Sequence, residues 1–272
     1  MRSEPRRPRG IPLRTLVPNA ITALALCSAL FGIRYGFAGD WERAAGAIVL
    51  AAFLDMMDGR IARLLKGQSR FGAELDSLAD VTAFGVAPAI ILYQWMLSQI
   101  GSNEPAHEYW MRYGWLLALG HAVCAALRLA RFNANIDVTE QPHKSAGFLT
   151  GIPAPAGAGL ALLPLFLWLW TGASIFHEPL LVAPWAALSA LLMVSNLATF
   201  SWGSLRLRSH IRLTALLIVA LIGGALFTAP WPTLSLAATI YALTIPFSIL
   251  SYAKVKRQRA AAPPPAPQPD AA

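Results

Sequence analysis

Long apolar runs, separated by short polar or basic segments, occupy most of this 272-residue chain. A helix that crosses a membrane needs about 20 consecutive apolar residues, and several runs reach that length. The apolar segments lie near residues 15–37, 42–65, 76–100, 109–133, 153–172, 179–200, 211–229 and 232–252. The pattern therefore predicts an all-α, polytopic integral membrane protein with about eight transmembrane helices.

Basic segments flank the apolar region at both ends. We expect a basic arm over residues 1–14, a membrane domain over residues 15–253, and a tail over residues 254–272 that is basic, then rich in Ala and Pro, and disordered. A basic arm before an apolar run also begins a secretory signal peptide. Because the first run is about 20 residues, longer than the apolar part of such a peptide, we expect it to remain as a membrane helix.

The composition limits the class of protein further. Hydrophobic residues make up 56% of the chain and charged residues 13%, which excludes a disordered chain and disfavours a soluble globular domain. With eight helices, all of the 22 Lys and Arg residues except Arg34, Arg43 and Arg112 fall on one side. The positive-inside rule places that side, with both termini, in the cytoplasm. The net charge of +8 then indicates contact with anionic membrane lipids and not with nucleic acid.

Four aspartates stand at the ends of the second and third apolar segments: Asp55, Asp58, Asp76 and Asp80. Burying a charged side chain in a membrane costs free energy, so charged residues at this depth usually have a function. Asp55 and Asp58 project from one face of a helix, and Asp76 and Asp80 share a face of the next. If these helices are antiparallel neighbours, the carboxylates converge and repel one another unless cations neutralise them. Oxygen ligands of this kind suit Mg²⁺ or Mn²⁺.

Small and basic residues accompany the aspartates. Gly59, Ala62 and Gly72 lack bulk, so a ligand can approach the backbone closely, and Arg63 is suited to bind a phosphate. Together with the carboxylates, they predict a two-metal site for a phosphate-containing substrate. The alternative is a set of structural polar residues that cap or snorkel at helix ends.

These residues and their spacing resemble the signature of the CDP-alcohol phosphatidyltransferases at all eight positions, Asp55-x2-Asp58-Gly59-x2-Ala62-Arg63-x8-Gly72-x3-Asp76-x3-Asp80. The resemblance implies a bundle of membrane helices that forms a homodimer. It implies that the four aspartates bind two Mg²⁺ or Mn²⁺ ions and that Asp80 is also the general base. It further implies a CDP-binding group made of Gly59, Ala62, Arg63 and Gly72, with Asn19 and Thr22 of the first segment near the nucleotide.

A second pattern follows in the C-terminal direction. The sequence R-L-A-R-F-N begins at Arg128, and F-L-T-G-I-P-A-P-A-G-A begins at Phe148. Both are similar to the phosphatidylserine synthase branch of the same family. This resemblance implies transfer of the phosphatidyl group from CDP-diacylglycerol to L-serine, with release of CMP. Arg128 and Arg131 are candidates to bind the serine carboxylate or a phosphate, although anchoring of a helix end by positive charge explains two arginines equally well.

Two other functions remain open from the sequence. A member of the same family can use another acceptor, namely glycerol 3-phosphate, inositol phosphate or choline. An ion-coupled transporter also carries intramembrane carboxylates, but transporters often have repeated halves, and the C-terminal half here lacks matching acidic residues.

We expect a multi-pass protein of a bacterial inner membrane whose active site faces the cytoplasm.

Overall fold

The computed structural model describes residues 13–134, 148–200 and 212–261. Its helices are α1 Leu13–Phe37, α2 Trp41–Leu64, α3 Arg70–Asp80, α4 Ala87–Ser98, α5 Pro105–Ala134, α6 Ala154–Ala161, α7 Leu163–Thr171, α8 Pro179–Val194, α9 Arg212–Thr228 and α10 Pro230–Ala261. A π-helical segment, Val81–Val86, joins α3 to α4, and a 3₁₀ turn, Ser174–His177, precedes α8. Two short strands are β1 Phe148–Thr150 and β2 Ala198–Phe200.

Long apolar helices confirm the all-α membrane fold that the sequence predicts. Within the described ranges, α1, the continuous segment Arg70–Ser98, α5 and Pro230–Val255 are each long and apolar enough to cross a membrane. The pair α6 and α7, bent by 46°, adds a fifth candidate if it acts as one span. Seven of the eight predicted apolar segments correspond to one helix or to two consecutive helices, whereas in segment 179–200 the helix ends at Val194 and the last residues form β2. The number of eight crossings remains a prediction.

Helix α3 begins earlier than the sequence pattern predicts, at Arg70 and not near Asp76. Ser69 is the reason, because its Oγ accepts a hydrogen bond from the Gly72 backbone N–H (3.0 Å) and so caps the first turn. Asp76 therefore lies inside the helix, one turn before Asp80. The two carboxylates project from a rigid element and not from the end of a loop.

A tight turn joins α2 to α3. The Gly67 N–H donates to the Ala62 carbonyl (3.0 Å) and the Lys66 N–H to the Arg63 carbonyl (3.3 Å), which is the pattern of a Schellman motif. Lys66 takes the left-handed conformation of this motif, with φ of 49°. A Cβ on Gly67 would overlap the Arg14 carbonyl, so the turn packs directly against the first turn of α1.

Small residues allow the N-terminal helices to pack closely. A Cβ on Gly32 of α1 would lie 3.2 Å from the Ala44 carbonyl oxygen of α2, and the Ser28 hydroxyl donates to the Ala47 carbonyl (2.8 Å). Close approach through small residues and hydroxyl groups is typical of helix pairs in membranes. The larger core side chains, among them Phe84 and Trp95, are fully buried on the segment that runs from the π-helix through α4.

The structure adds a small β-ladder to the predicted helices. Strands β1 and β2 pair antiparallel, with Leu149 opposite Thr199. The Ser248 hydroxyl donates to the Ala198 carbonyl (2.8 Å), which fastens the ladder to α10. Helix α10 itself continues to Ala261, beyond the predicted end of the membrane domain at residue 253. Most of the predicted basic arm and the Ala- and Pro-rich end of the tail lie outside the described residues.

Candidate metal and nucleotide site

Three of the four predicted aspartates form one cluster. Carboxylate oxygens of Asp55 from α2 and of Asp76 and Asp80 from α3 all lie within 4.8 Å of one another. Each side chain is half-buried, and none lies within ion-pairing distance of a described Lys or Arg. Three carboxylates this close repel one another strongly, so the cluster favours a bound cation. Its donors are hard oxygen atoms, which fit Mg²⁺ or Mn²⁺.

Asp58 lies beside this cluster and makes a different contact. Its carboxylate Oδ2 accepts a hydrogen bond of 2.6 Å from the Thr22 hydroxyl of α1, and the side chain is only 5% exposed. The charge of Asp58 also interacts with that of Asp76. Thr22 thus links α1 to the aspartate helices, and it fixes the orientation of one carboxylate oxygen.

A cleft opens next to the aspartates between α1, α2 and the start of α3. It contains about 730 Å³ of space, including the part open to solvent. The residues around it include two aspartates, Asp58 and Asp76, and five of the six residues that the sequence assigns to CDP: Asn19, Thr22, Gly59, Ala62 and Gly72. The structure therefore brings the predicted nucleotide-binding residues together on one surface.

Glycine at position 72 keeps this cleft open. A Cβ at that position would lie 2.6 Å from the Asn19 Oδ1 and 3.1 Å from the Ser69 Oγ, so any side chain would displace its neighbours. Gly59 faces more space, since its nearest neighbour would be Arg63 Nη1 at 3.7 Å. Arg63, the sixth residue assigned to CDP, is exposed and lies at the rim of the cleft with its guanidinium beside Gly59.

The π-helical segment begins directly after Asp80. Pro88 has no N–H to donate, and the Ala87 N–H donates to the Thr82 carbonyl five residues earlier, as in a π-helix. Gly85 within this segment packs on α5, where a Cβ would lie 2.8 Å from the Ala125 Cβ. The irregular segment thus joins the Asp80 end of α3 to the helix that carries Arg128.

The two predicted arginines of α5 have different surroundings. Arg128 is half-buried, its charge interacts with Asp80, and its Nε makes no hydrogen bond to any described residue. Arg131 extends to the end of α8, where Nη1 donates to the Asn196 side-chain oxygen and Nη2 to the Val194 carbonyl, both at 2.5 Å. Arg128 therefore lies toward the aspartates, whereas Arg131 connects α5 to the segment between α8 and β2.

Sequence reasoning missed two groups of residues near the site. Ser69 and Gly67 shape the cleft wall, and a Ser before a helix start could have indicated the cap. Tyr241 of α10 gave no signal, because a tyrosine in an apolar segment is typical of many membrane helices. The charge of Arg128 nevertheless interacts with the Tyr241 hydroxyl, so α10 also contributes to this region.

Comparisons with known proteins agree with this geometry. A family model described as CDP-alcohol phosphatidyltransferase matches residues 15–202, which include the aspartates, the cleft and both arginines of α5. A CDP-diacylglycerol–serine O-phosphatidyltransferase from Mycobacterium leprae is 36% identical over 92% of this chain and 79% of its own length. The Mycobacterium bovis protein of the same name is 36% identical over 92% and 84%, and that of Helicobacter pylori 31% identical over 83% and 87%.

Proposed function

The chain belongs to the CDP-alcohol phosphatidyltransferase family, and we propose that it transfers the phosphatidyl group of CDP-diacylglycerol to L-serine, giving phosphatidylserine and CMP. The relatives that carry this name span most of the chain at 31–36% identity. The observation that supports the chemistry is the aspartate cluster beside a cleft of nucleotide size. A transporter would not need the glycine-lined cleft that adjoins these carboxylates.

The family depends on metal ions, and the acidic cluster here fits that requirement. We propose that Asp55, Asp76 and Asp80 hold divalent cations together with Asp58, that two ions bind, and that they are Mg²⁺ or Mn²⁺. Bound there, such ions would supply positive charge that polarises the transferred phosphoryl group and stabilises the leaving CMP.

The residues of the cleft would position the donor substrate. Gly59, Ala62 and Gly72 leave room for the CDP part against the helix backbones, and Asn19 and Thr22 would border the nucleotide. Arg63 at the rim would meet a phosphate oxygen. The acyl chains would stay in the bilayer, which leaves the pyrophosphate beside the aspartates.

The reaction we propose needs one proton transfer and one displacement at phosphorus. Asp80 would accept the proton of the serine hydroxyl as its oxygen attacks the phosphorus on the diacylglycerol side. A new P–O bond forms to serine, and the bond to the oxygen of CMP breaks. Arg128 and Arg131 would bind the serine carboxylate or the phosphate, with Arg131 acting from its hydrogen-bonded position at the end of α8.

The long apolar helices and the family make this a multi-pass membrane protein. We propose an inner-membrane location with the aspartate site facing the cytoplasm, since the basic loops gather on that side. The cytoplasm is also where a cleft for a CDP-linked headgroup meets serine and divalent cations. We further propose a homodimer in contact with membrane lipids, as the family resemblance implies.

The test is CMP release by the purified protein in detergent micelles that contain CDP-diacylglycerol. Serine, glycerol 3-phosphate, inositol phosphate and choline are added one at a time, with Mg²⁺, with Mn²⁺ or with chelator. Among the four acceptors, we expect only serine to give CMP release, and only when metal is present. We expect no release from an Asp80→Asn variant. Release with another acceptor would move the protein to a sister branch, and no release from folded protein would overturn the proposed function.

A further inference from the structure

Two neighbouring polar groups are buried without hydrogen bonds, and one of them also interacts with Asp80. They are Arg128 Nε of α5 and the Tyr241 hydroxyl of α10, and neither makes a hydrogen bond to a residue within the described ranges. Buried polar groups nearly always have a partner, because burial without one costs stability. A pair of unsatisfied groups beside a reactive carboxylate therefore points to a ligand that supplies the missing acceptors.

The position of Tyr241 supports such a role. Its ring packs against a buried apolar cluster that includes Ile152 and Met193, so the side chain is held in place. The Thr199 hydroxyl of β2 lies near the Tyr241 hydroxyl, but it donates its own proton to the Gly151 carbonyl (2.7 Å). The Thr199 oxygen could still accept the phenol proton, yet the Tyr241 hydroxyl makes no hydrogen bond to a described residue, and a ligand carboxylate is the stronger acceptor for it.

Arg128 interacts both with this tyrosine and with one of the aspartates. Its charge interacts with the Asp80 carboxylate on one side and with the Tyr241 hydroxyl on the other. The guanidinium and the phenol are both hydrogen-bond donors, and a guanidinium is suited to a planar carboxylate. Asp80, by contrast, is an acceptor. The region thus offers donors for an anion next to an acceptor for a proton.

We propose that Tyr241, together with Arg128, forms the carboxylate-binding subsite for the amino-acid acceptor and makes the enzyme select an acceptor that carries a carboxylate. The inference rests on the proposed function and names a specificity residue within it. With the carboxylate on Arg128 and Tyr241, the rest of the acceptor extends toward Asp80. Acceptors without a carboxylate would leave both donors unpaired, which is a strong basis for discrimination.

The first experiment compares Tyr241→Phe with wild type. The variant removes one hydroxyl, and we expect the KM for serine to rise about tenfold, as for the loss of a hydrogen bond to a charged group. The KM for CDP-diacylglycerol should stay within about twofold, because Tyr241 does not line the nucleotide cleft. Tyr113→Phe on the exposed part of α5 is the matched control, and it should change neither constant.

A second acceptor separates recognition from a general structural effect. L-Serinamide has the size of serine but no carboxylate, so wild type should use it far less well than serine. Tyr241→Phe should narrow the serine-to-serinamide ratio of kcat/KM about tenfold. A purely structural role would lower both values equally and leave the ratio unchanged, and that result would overturn the inference.

Arg128→Lys provides a second test of the subsite in case the Tyr241→Phe variant does not fold. Lysine keeps the charge but loses the planar fork, so the same ratio should narrow. An unchanged ratio in a folded Arg128→Lys variant would also overturn the inference. The wild-type protein tests the proposed function separately. If it releases CMP with serine and both variants keep the wild-type ratio, the carboxylate subsite alone is rejected. If wild type shows no serine-dependent release, the proposed function and the subsite are both rejected.

Discussion

Asp40 caps the start of α2, and Asp55 lies about 22 Å further along that helix at the usual rise per residue, where it clusters with Asp76 and Asp80 of α3. Asp40 is satisfied within the protein, since it accepts a hydrogen bond from the Arg43 N–H (3.1 Å) and pairs with the Arg43 guanidinium (2.9 Å). The three clustered carboxylates form no ion pair at contact distance with a described residue, and Arg128 interacts with Asp80 only from further away. An aspartate is therefore a helix cap at one end of the bundle, and aspartates are candidate metal ligands at the other end.

The aromatic groups at the Asp40 end strengthen the contrast. His177 stacks on Trp95 with ring centroids 3.9 Å apart, and its Nε2 lies 2.5 Å from the Trp95 carbonyl oxygen. Burial lowers the pKa of His177 below its ordinary value, so the ring stays neutral there. Asp40 is thus paired and His177 is neutral, whereas the other end brings several carboxylates together. The excess of carboxylates over basic groups, and not the mere presence of polar residues, marks the functional end.

Neutralising one carboxylate at each end should give the largest difference. Asp80→Asn should lower kcat for CMP release about 10³-fold, because an amide cannot accept the serine proton. Asp40→Asn should retain activity within about twofold, since it alters only a cap and an exposed ion pair. Steady-state CMP release measures both. Equal losses in the two variants would remove the distinction between the ends.

The hydrogen bond that holds Asp58 should make a large contribution to stability. Thr22→Val removes a short hydrogen bond to a buried carboxylate that then keeps only its backbone bond from Gly59, so we expect the free energy of unfolding to fall by about 2 kcal/mol. Thr233→Val is the matched control, because its hydroxyl donates only to the Ala229 carbonyl one turn earlier (2.8 Å). Thermal unfolding in detergent compares the two. A shift no larger than that of the control would contradict a structural role for the Thr22 bond.

Filling the cleft should affect substrate binding more than folding. In Gly72→Ala the added Cβ displaces Asn19, which costs on the order of 1 kcal/mol or more, and the KM for CDP-diacylglycerol should rise about tenfold. Gly46→Ala on α2 adds the same methyl group where nothing lies within 4 Å. Its KM should equal that of wild type. If both variants bind the donor alike, the cleft at Gly72 is not the nucleotide site.

The smallest effect concerns the turn that joins the two aspartate helices. Lys66 adopts a left-handed conformation that favours glycine, so Lys66→Gly should raise the free energy of unfolding by about 0.5–1 kcal/mol. Activity should be unchanged, because Lys66 does not line the cleft. A modest increase in the thermal unfolding temperature is the expected result. A decrease in the unfolding temperature would show that the lysine side chain stabilises the fold by more than its left-handed conformation costs.

The sequence predicts the convergence of Asp55, Asp76 and Asp80 because the signals for it are local. The spacing of Asp55 and Asp58 and that of Asp76 and Asp80 fix a shared helix face, and adjacent helices in the chain place the faces together. The predicted start of α3, near Asp76, is wrong by more than one turn. The prediction used the apolar pattern, whereas the Ser69 cap determines where the helix begins. A cap is a single hydrogen bond, which a search for apolar runs does not detect.

Contacts between distant parts of the chain could not be predicted. The different surroundings of Arg128 and Arg131 depend on where the end of α8 lies, more than 60 residues away in the chain. Tyr241 comes within reach of the Arg128 charge only because α10 packs against α6, α7 and β2. The ladder of β1 and β2 likewise joins segments that have no strand pattern longer than three residues. Such pairings follow from the packing of whole helices.

Mn²⁺ binding to the purified protein most directly tests whether the unpaired carboxylates form a metal site. The electron paramagnetic resonance signal of free Mn²⁺ reports how much ion each variant binds, without reference to activity. We predict saturable binding by wild type and by Asp40→Asn, and its loss in the double variant Asp76→Asn/Asp80→Asn. Equal binding by the folded double variant and wild type would contradict a metal site at the aspartate cluster.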